Sequence, residues 1–251
     1  MATEKNVILT LEPAQFDFFT KIFTKISNNS SFESICIKDS ILSRDLNTAS
    51  IYINFTKLFG DKKVNLNILD HKKASKIFKS IKTDNQIIFI EDVDRYLVTY
   101  PFTDVKGNQY YFTFSITKAD DCNIKEPEDF STYNHVDKIV IEKDIFDTIT
   151  KMAKTIGTDQ VSLLFKDNKI KAIAISDNAI IKLDNDSDIS PTNCELELIC
   201  NSLMIFDAEE IEVDVYEKDN KYTGVYKLQL GYPIDFIVYE TLKNVEEEIE
   251  L

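Results

Sequence analysis

The chain has 251 residues, 43 acidic against 29 basic, for a formal charge of −14, and is 43% hydrophobic. That is too much apolar material for a disordered chain, and no run approaches the roughly 20 apolar residues of a membrane span. The opening MATEKNVILTLE lacks the basic start and apolar stretch of a secretory signal, so a soluble protein that stays where it is made is expected. Its place is then the cytoplasm, the host's for a viral protein, or the nucleus in a eukaryote. Five glycines and five prolines among many Ile, Phe, Tyr and Val argue for long regular strands.

In chain order the pattern reads as one unit written four times. A strand at 6–11 leads to a helix from about 13 to 26, with Phe16, Phe19, Phe23 and Ile26 on one face, then strands near 34–37, 41–46 and 50–55. The second unit has a strand at 64–69, a helix over 71–82, and strands at 86–91, 95–100 and 109–116, with Asp92-Val93-Asp94 as a turn. Residues 119–135 lose the period, carry five acids, and read as a linker. The third unit has a strand at 138–141, a helix over 143–156, and strands at 160–166, 169–175 and 180–183, the first two joined by an Asp167-Asn168 turn. The fourth runs from a strand at 195–200 through a short helix near 202–206 to strands at 210–217, 222–230 and 234–240, before the acidic tail NVEEEIEL. The fold class is α+β: two similar domains, each with two helices on one face of antiparallel sheets. Residues 1–118 and 137–243 form the domains, 119–136 the connector and 244–251 the tail.

The four cysteines, Cys36, Cys122, Cys194 and Cys200, form no CxxC pair. Buried free thiols in a reducing, intracellular protein are expected, and the spacing disfavours a disulfide framework or a zinc site.

Charge is unevenly placed. The segment HKKASKIFKSIK at 71–82 holds five lysines and no acid. Ala74, Ile77, Phe78 and Ile81 mark the apolar face of its helix. Lys72, Lys76 and Lys79 project from the opposite side, with Lys73 and Lys82 on the flanks. Such a face suits contact with a polyanion on a molecule repelled by it elsewhere, although most lysine-rich faces are merely solvated. The first helix adds Lys21 and Lys25 with Asp17 near them; the third adds Lys143, Lys151 and Lys154 beside Asp147; the fourth brings no lysine.

On these four units the chain resembles the two-domain DNA polymerase sliding clamps, the proliferating cell nuclear antigen and the T-even phage clamp, over about residues 5–240. The middle carries the resemblance best. QYYFTFSIT (109–117) leads to a connector containing EPEDF (126–130), then DKIVIEK, the helix DIFDTITKMAKTI, and DQVSLLFKDNKIKAIAISDN. CIKDSILSRDLNTASIYINF resembles the part of the first domain before the second unit. The resemblance implies a homotrimeric ring around duplex DNA, bound without regard to sequence, with helices lining the hole and the lysines named above facing phosphate. It implies a DNA polymerase and a clamp loader as partners, and no cofactor, metal or catalytic residue. Ring closure would pair the edge strand carrying Tyr110, Phe112 and Phe114 with one at 179–183 carrying Ile180 and Lys182; ordinary packing within the sheet is the other reading of those aromatics. A pocket for partner peptides would draw on Leu46, Ile51, Ile124, Pro233 and Tyr239, each of which also reads as core. The fourth helix departs from the family by lacking a basic residue.

No GxxxxGK loop, GxSxG or HExxH is present. His71 and His135 read as surface or capping residues, and Asp120-Asp121, Asp92/Asp94 and Asp184/Asp186/Asp188 as solvated loops. The rival readings are a monomeric processivity subunit with the same basic face, a metal-dependent nuclease using those acids, and a protein scaffold with no nucleic acid. The Asn-, Lys- and Ile-rich composition hints at an AT-rich genome and makes a viral or phage source plausible.

Overall fold

The computed structural model describes residues 6–29, 34–46, 49–60, 62–120, 122, 124, 129–158, 160–166, 169–176, 179–185, 194–199, 210–219, 221–229 and 235–241. The first half of the chain runs β1 (Asn6–Leu11), α1 (Pro13–Asn29), β2 (Ile35–Ile37), β3 (Ile41–Leu46), β4 (Ala49–Asn54), a single turn α2 (Thr56–Phe59), β5 (Leu66–Ile68), α3 (His71–Ser80), β6 (Ile87–Glu91), β7 (Arg95–Thr103) and β8 (Gln109–Thr117). The second runs β9 (Asn134–Glu142), α4 (Lys143–Ile156), β10 (Gln160–Lys166), β11 (Lys169–Ser176), β12 (Ala179–Asn185), β13 (Cys194–Ile199), β14 (Glu210–Lys218), β15 (Lys221–Gln229) and β16 (Asp235–Thr241). The halves repeat one order of strands, with a helix after the first strand of each, giving two similar α+β clamp domains with helices packed on antiparallel sheets. The helix expected near 202–206, the Asp167-Asn168 turn and the acidic tail lie outside the described residues.

Two compact units emerge: Met1–Leu42 with Asn54–Ile124, and Ser43–Ile53 with Lys125–Leu251. In the first, a sheet ordered β1-β6-β7-β8 and the pair β2-β5 are covered by α1 and α3. The core is aromatic. Phe16, Phe19 and Phe23 of α1 meet Phe78 of α3 at ring distances of 5.8, 5.8 and 5.1 Å, and Phe19 also meets Phe55, Phe59 and Phe89. Offset and edge-to-face rings of this kind add attraction beyond the area they bury. Alternation sets the sheet's inner face: Leu9 and Leu11 on β1, Ile87 and Phe89 on β6, and Tyr96 and Val98 on β7 are all buried. The turn α2, which no sequence period marks, ends at Gly60 in the left-handed region (φ 75°), which suits glycine.

Beyond Thr117 the chain leaves β7 and runs along β5. Ala119 donates to the Asn67 carbonyl at 2.9 Å, and the Asn67 side chain donates back to the Ala119 carbonyl at 2.9 Å. The Tyr96 hydroxyl, its pKa raised by burial, accepts from the Asn67 backbone N–H at 2.9 Å. This path brings Cys122 to Cys36 on β2, and the two form a disulfide with Cα atoms 5.5 Å apart across 86 residues. The expectation of free thiols is thereby corrected for this pair: linear spacing cannot register two cysteines that strand pairing brings together. His71 is likewise no surface residue. It is buried, and its Nδ1 lies 2.9 Å from Ser27 Oγ on α1.

In the second unit one sheet runs β3-β4-β16-β15-β14-β9 and another β12-β11-β10-β13. Helix α4 packs against β9 to β12, burying Phe146, Ile149, Met152 and Ala153, and ends at Gly157 (φ 72°). Strand β9 starts four residues before its expected point, so His135 sits in the sheet opposite Tyr216 rather than in a linker; NHVD shows no apolar alternation to mark it. Asp214 on β14 is buried, ion-paired to Lys227, and 3.2 Å from His135 Nε2. Burial pushes its pKa up, but the hydrogen bonds and charges of Lys227 and His135 outweigh that and hold it below its ordinary value of 3.8. A depressed folded-state pKa contributes stability that is complete above the unfolded value and is lost as pH falls through the folded one. Asp214→Asn is expected to cost about 1–3 kcal/mol at pH 7, and less as pH falls below about 4; urea unfolding followed against pH checks both.

Candidate nucleic-acid interface

Helices α1 and α3 lie antiparallel. Thr24 Oγ1 and Ser75 Oγ are 2.9 Å apart, Ser27 meets His71 one turn further along α1 and one turn back on α3, and Phe16 meets Phe78 at the other end. Asp70 caps α3 by accepting from the Lys73 backbone N–H at 3.1 Å, fixing where the helix begins. With Ala74, Phe78 and Ile81 buried, the opposite face must take the lysines. Lys72, Lys73, Lys76, Lys79 and Lys82 are all exposed. On α4 the same logic exposes Lys143, Lys151 and Lys154.

These eight lysines form no ion pair among the described residues. The contrast is with the sheets, where Lys118 pairs with Glu91, Lys138 with Glu212 at 2.9 Å, and Lys227 with Asp214. Hydrogen bonds to those glutamates raise the pKa of Lys118 and Lys138. Carboxylates thus neutralise these three lysines and, among the described residues, leave those of α3 and α4 available. Helix α1 is mixed: Lys21 is 3.1 Å from Asp17, and Lys25 is half-buried. Lysine, a flexible point charge, suits diffuse phosphate contact better than fixed bidentate pairing.

A second surface lies on β7 and β8. The paired residues Tyr100–Phe112 and Phe102–Tyr110 share one face, and Phe112 stacks on Tyr100 at 5.6 Å and meets Phe102 edge-on at 5.4 Å. Strand β6 pairs with β7 only as far as Thr99, so the ribbon beyond it projects with its aromatics uncovered: Phe102, Tyr110, Tyr111 and Phe112 are 44–67% exposed. Pro101 falls on that overhang, opposite Tyr111 and beyond the reach of β6. Phe114 is half-buried, 6.4 Å from Tyr100. Tyr100 and Phe102 were not among the residues singled out from sequence; the alternation Val98-Tyr100-Phe102 was the available signal. β8 ends its sheet, and β12, which carries Ile180 and Lys182, ends another; the side chains of those two lie outside the described part.

Of the residues expected in a partner pocket, Ile51 is buried on β4 and Ile124 is half-buried. Leu46 and Tyr239 lie on β3 and β16 with side chains outside the described part, and Pro233 lies outside the described residues altogether. No group of three or more His, Cys, Asp or Glu among the described residues could hold a metal ion, and no helix there is long and apolar enough to cross a membrane. Of the acid triplet Asp184/Asp186/Asp188, only the backbone of Asp184 is described, in β12.

No protein-family model matches the sequence, and no curated protein matches it either. Solved structures do match in shape. The proliferating cellular nuclear antigen of Entamoeba histolytica superposes with a TM-score of 0.67 at 13% identity, over 95% of this chain and 99% of its own. The PCNA2–PCNA3 complex of Sulfolobus tokodaii gives 0.67 at 12%, over 94% and 98%. PCNA from Thermococcus kodakaraensis gives 0.63 at 12%, over 94% and 99%. The chain has the fold of the proliferating cell nuclear antigens. At such identities the likeness is one of fold, end to end, and the lysine face above is a property of this chain itself.

Because Lys72, Lys76 and Lys79 are exposed and form no ion pair among the described residues, replacing any of them by Ala should change the unfolding free energy by no more than about 0.5 kcal/mol. Urea denaturation reads this, and losses of about 2 kcal/mol or more would make those lysines structural.

Proposed function

We propose that this protein is a sliding clamp: three copies close into a ring around duplex DNA and tether a DNA polymerase, and other DNA-processing proteins, for processive synthesis. A clamp loader opens the ring. The observation that carries the reading is the partition of lysine charge among the described residues, unpaired on α3 and α4 and paired with carboxylates at Lys118, Lys138 and Lys227, within a fold in which β8 and β12 each end a sheet.

The edges support a ring through the internal repeat. By order along the chain, β4 corresponds to β12 and β16 to β8, and β4 and β16 are already neighbours in one sheet. The same pairing made once more, β12 of one copy against β8 of the next, would bury the overhanging aromatics. A head-to-tail contact of this kind forms a closed ring when its rotation divides a full turn. Lys72, Lys73, Lys76, Lys79 and Lys82, with Lys143, Lys151 and Lys154, would then face the DNA, Lys21 and Lys25 contributing less. Each phosphate neutralised releases counterions without reading a base, so binding weakens with salt yet permits sliding. Nothing is required of the protein as a catalyst: the ring raises the polymerase's local concentration at the primer end. Leu46, Ile51, Ile124, Pro233 and Tyr239 remain the proposed peptide pocket.

Light scattering across a dilution series tests the ring. A mass near three times 28.9 kDa is expected for the unaltered chain, and the single-chain mass for Tyr110→Asp, which places a charge on the overhang without touching the core. A monomer at every concentration would instead favour a monomeric processivity subunit.

A further inference from the structure

The connector begins under a constraint that neither DNA binding nor ring closure uses. Ala119 is held to β5 by two hydrogen bonds with Asn67. Past it, among the described residues from Asp120 to Ile124, the Cys36–Cys122 disulfide is the one bond that ties the chain to the β2–β5 pair. Beside it opens a cavity of about 330 Å³ lined by Lys38, Asp39, Tyr96, Lys118 and Cys122 among others. The two sulfurs are unequally placed: Cys36 is 1% exposed, whereas Cys122 is only half-buried and borders the cavity.

We propose that Cys36–Cys122 is a reversible thiol–disulfide latch, which pins the start of the connector to β2 when oxidised and releases it when reduced. Its partner is a dithiol reductant or, for a monothiol such as glutathione, two equivalents of it. A reductant thiolate attacks Cys122 Sγ, the sulfur that solvent reaches. The Sγ–Sγ bond breaks, and Cys36 leaves as a thiolate and takes up a proton. A second reductant thiolate attacks the reductant's own sulfur in the mixed disulfide. That frees Cys122, which is protonated in turn, and leaves the reductant as its disulfide, two electrons having passed to the protein. Closure is the reverse, with glutathione disulfide as oxidant. The burial of Cys36 makes Cys122 the point of attack in opening, since exchange rates follow access to sulfur. That the latch would govern partner docking, through Ile124, rests on the clamp reading; the latch itself does not.

The test uses the full chain, without DNA. After treatment with glutathione disulfide, alkylation and trypsin, the peptides 26–38 and 119–125 should appear as one cross-linked mass, separated by reduced glutathione acting on the folded protein. Backbone amide hydrogen exchange across 119–124 should then speed up about tenfold on reduction. Cys122→Ser should show the fast exchange in both glutathione buffers, and serves where Cys36→Ser disturbs the core. Absence of the 36–122 link, a link that reduced glutathione cannot open, or unchanged exchange would each overturn the proposal. None of these outcomes depends on whether the chain forms a ring.

Discussion

The burial of phenylalanine between α1, α3 and the β1-β6-β7-β8 sheet is the interaction on which the rest of the first unit depends. Phe19 and Phe78 each meet several other rings, and neither has an exposed surface of consequence. Seating them fixes the rotation of both helices about their axes. Once Ala74, Phe78 and Ile81 face the core, helical geometry leaves the lysines of α3 no direction but outward. The polar seam of Thr24 with Ser75 and Ser27 with His71 sets how the two helices lie along each other. The charge pattern of the outer surface is thus a consequence of an apolar core, and a large-to-small change at Phe78 would loosen the lysine face along with the fold.

Repetition is the second constraint. Because the same order of strands occurs in both halves, each strand in one half has a counterpart in the other. The β3–β4 hairpin, from the first half, joins the second unit's sheet beside β16. The counterparts β12 and β8 end their sheets, and β8 carries aromatics that a lone subunit leaves in water. An exposed strand edge with apolar side chains is a liability in an isolated protein and a feature in one that assembles through it. On the proposed reading, the acidic remainder of the chain then serves to keep DNA off every surface but the helices.

Much of this was legible in the sequence because the dominant signals are periodic. The 3.6-residue spacing of Phe16, Phe19, Phe23 and Ile26 and that of Ala74, Ile77 and Phe78 located α1 and α3, and alternation located the strands to within a few residues. The exposure of the α3 lysines followed from the same spacing. What was illegible depends on distant partners. His71 looked like a surface residue until Ser27, 44 residues away in the chain, supplied its hydrogen bond. Cys36 and Cys122 looked unrelated until the run from β8 onto β5 brought them together. The early start of β9 is set by backbone pairing with β14, which polar side chains such as Asn134 and His135 do not advertise. Nor could the sequence distinguish paired from unpaired lysines, since that depends on carboxylates across a sheet, as with Lys138 and Glu212.

On the proposed function DNA is held by enclosure rather than by affinity, and retention on circular against linear duplex tests this most directly. The protein would be loaded onto a nicked circle by its loader, separated from free protein at high salt, and the circle then cut once. Enclosure predicts that the protein stays with the intact circle at salt concentrations that abolish phosphate contacts, and is lost through the free ends after cutting. Equal retention on circle and linear duplex, or loss from both as salt rises, would contradict it.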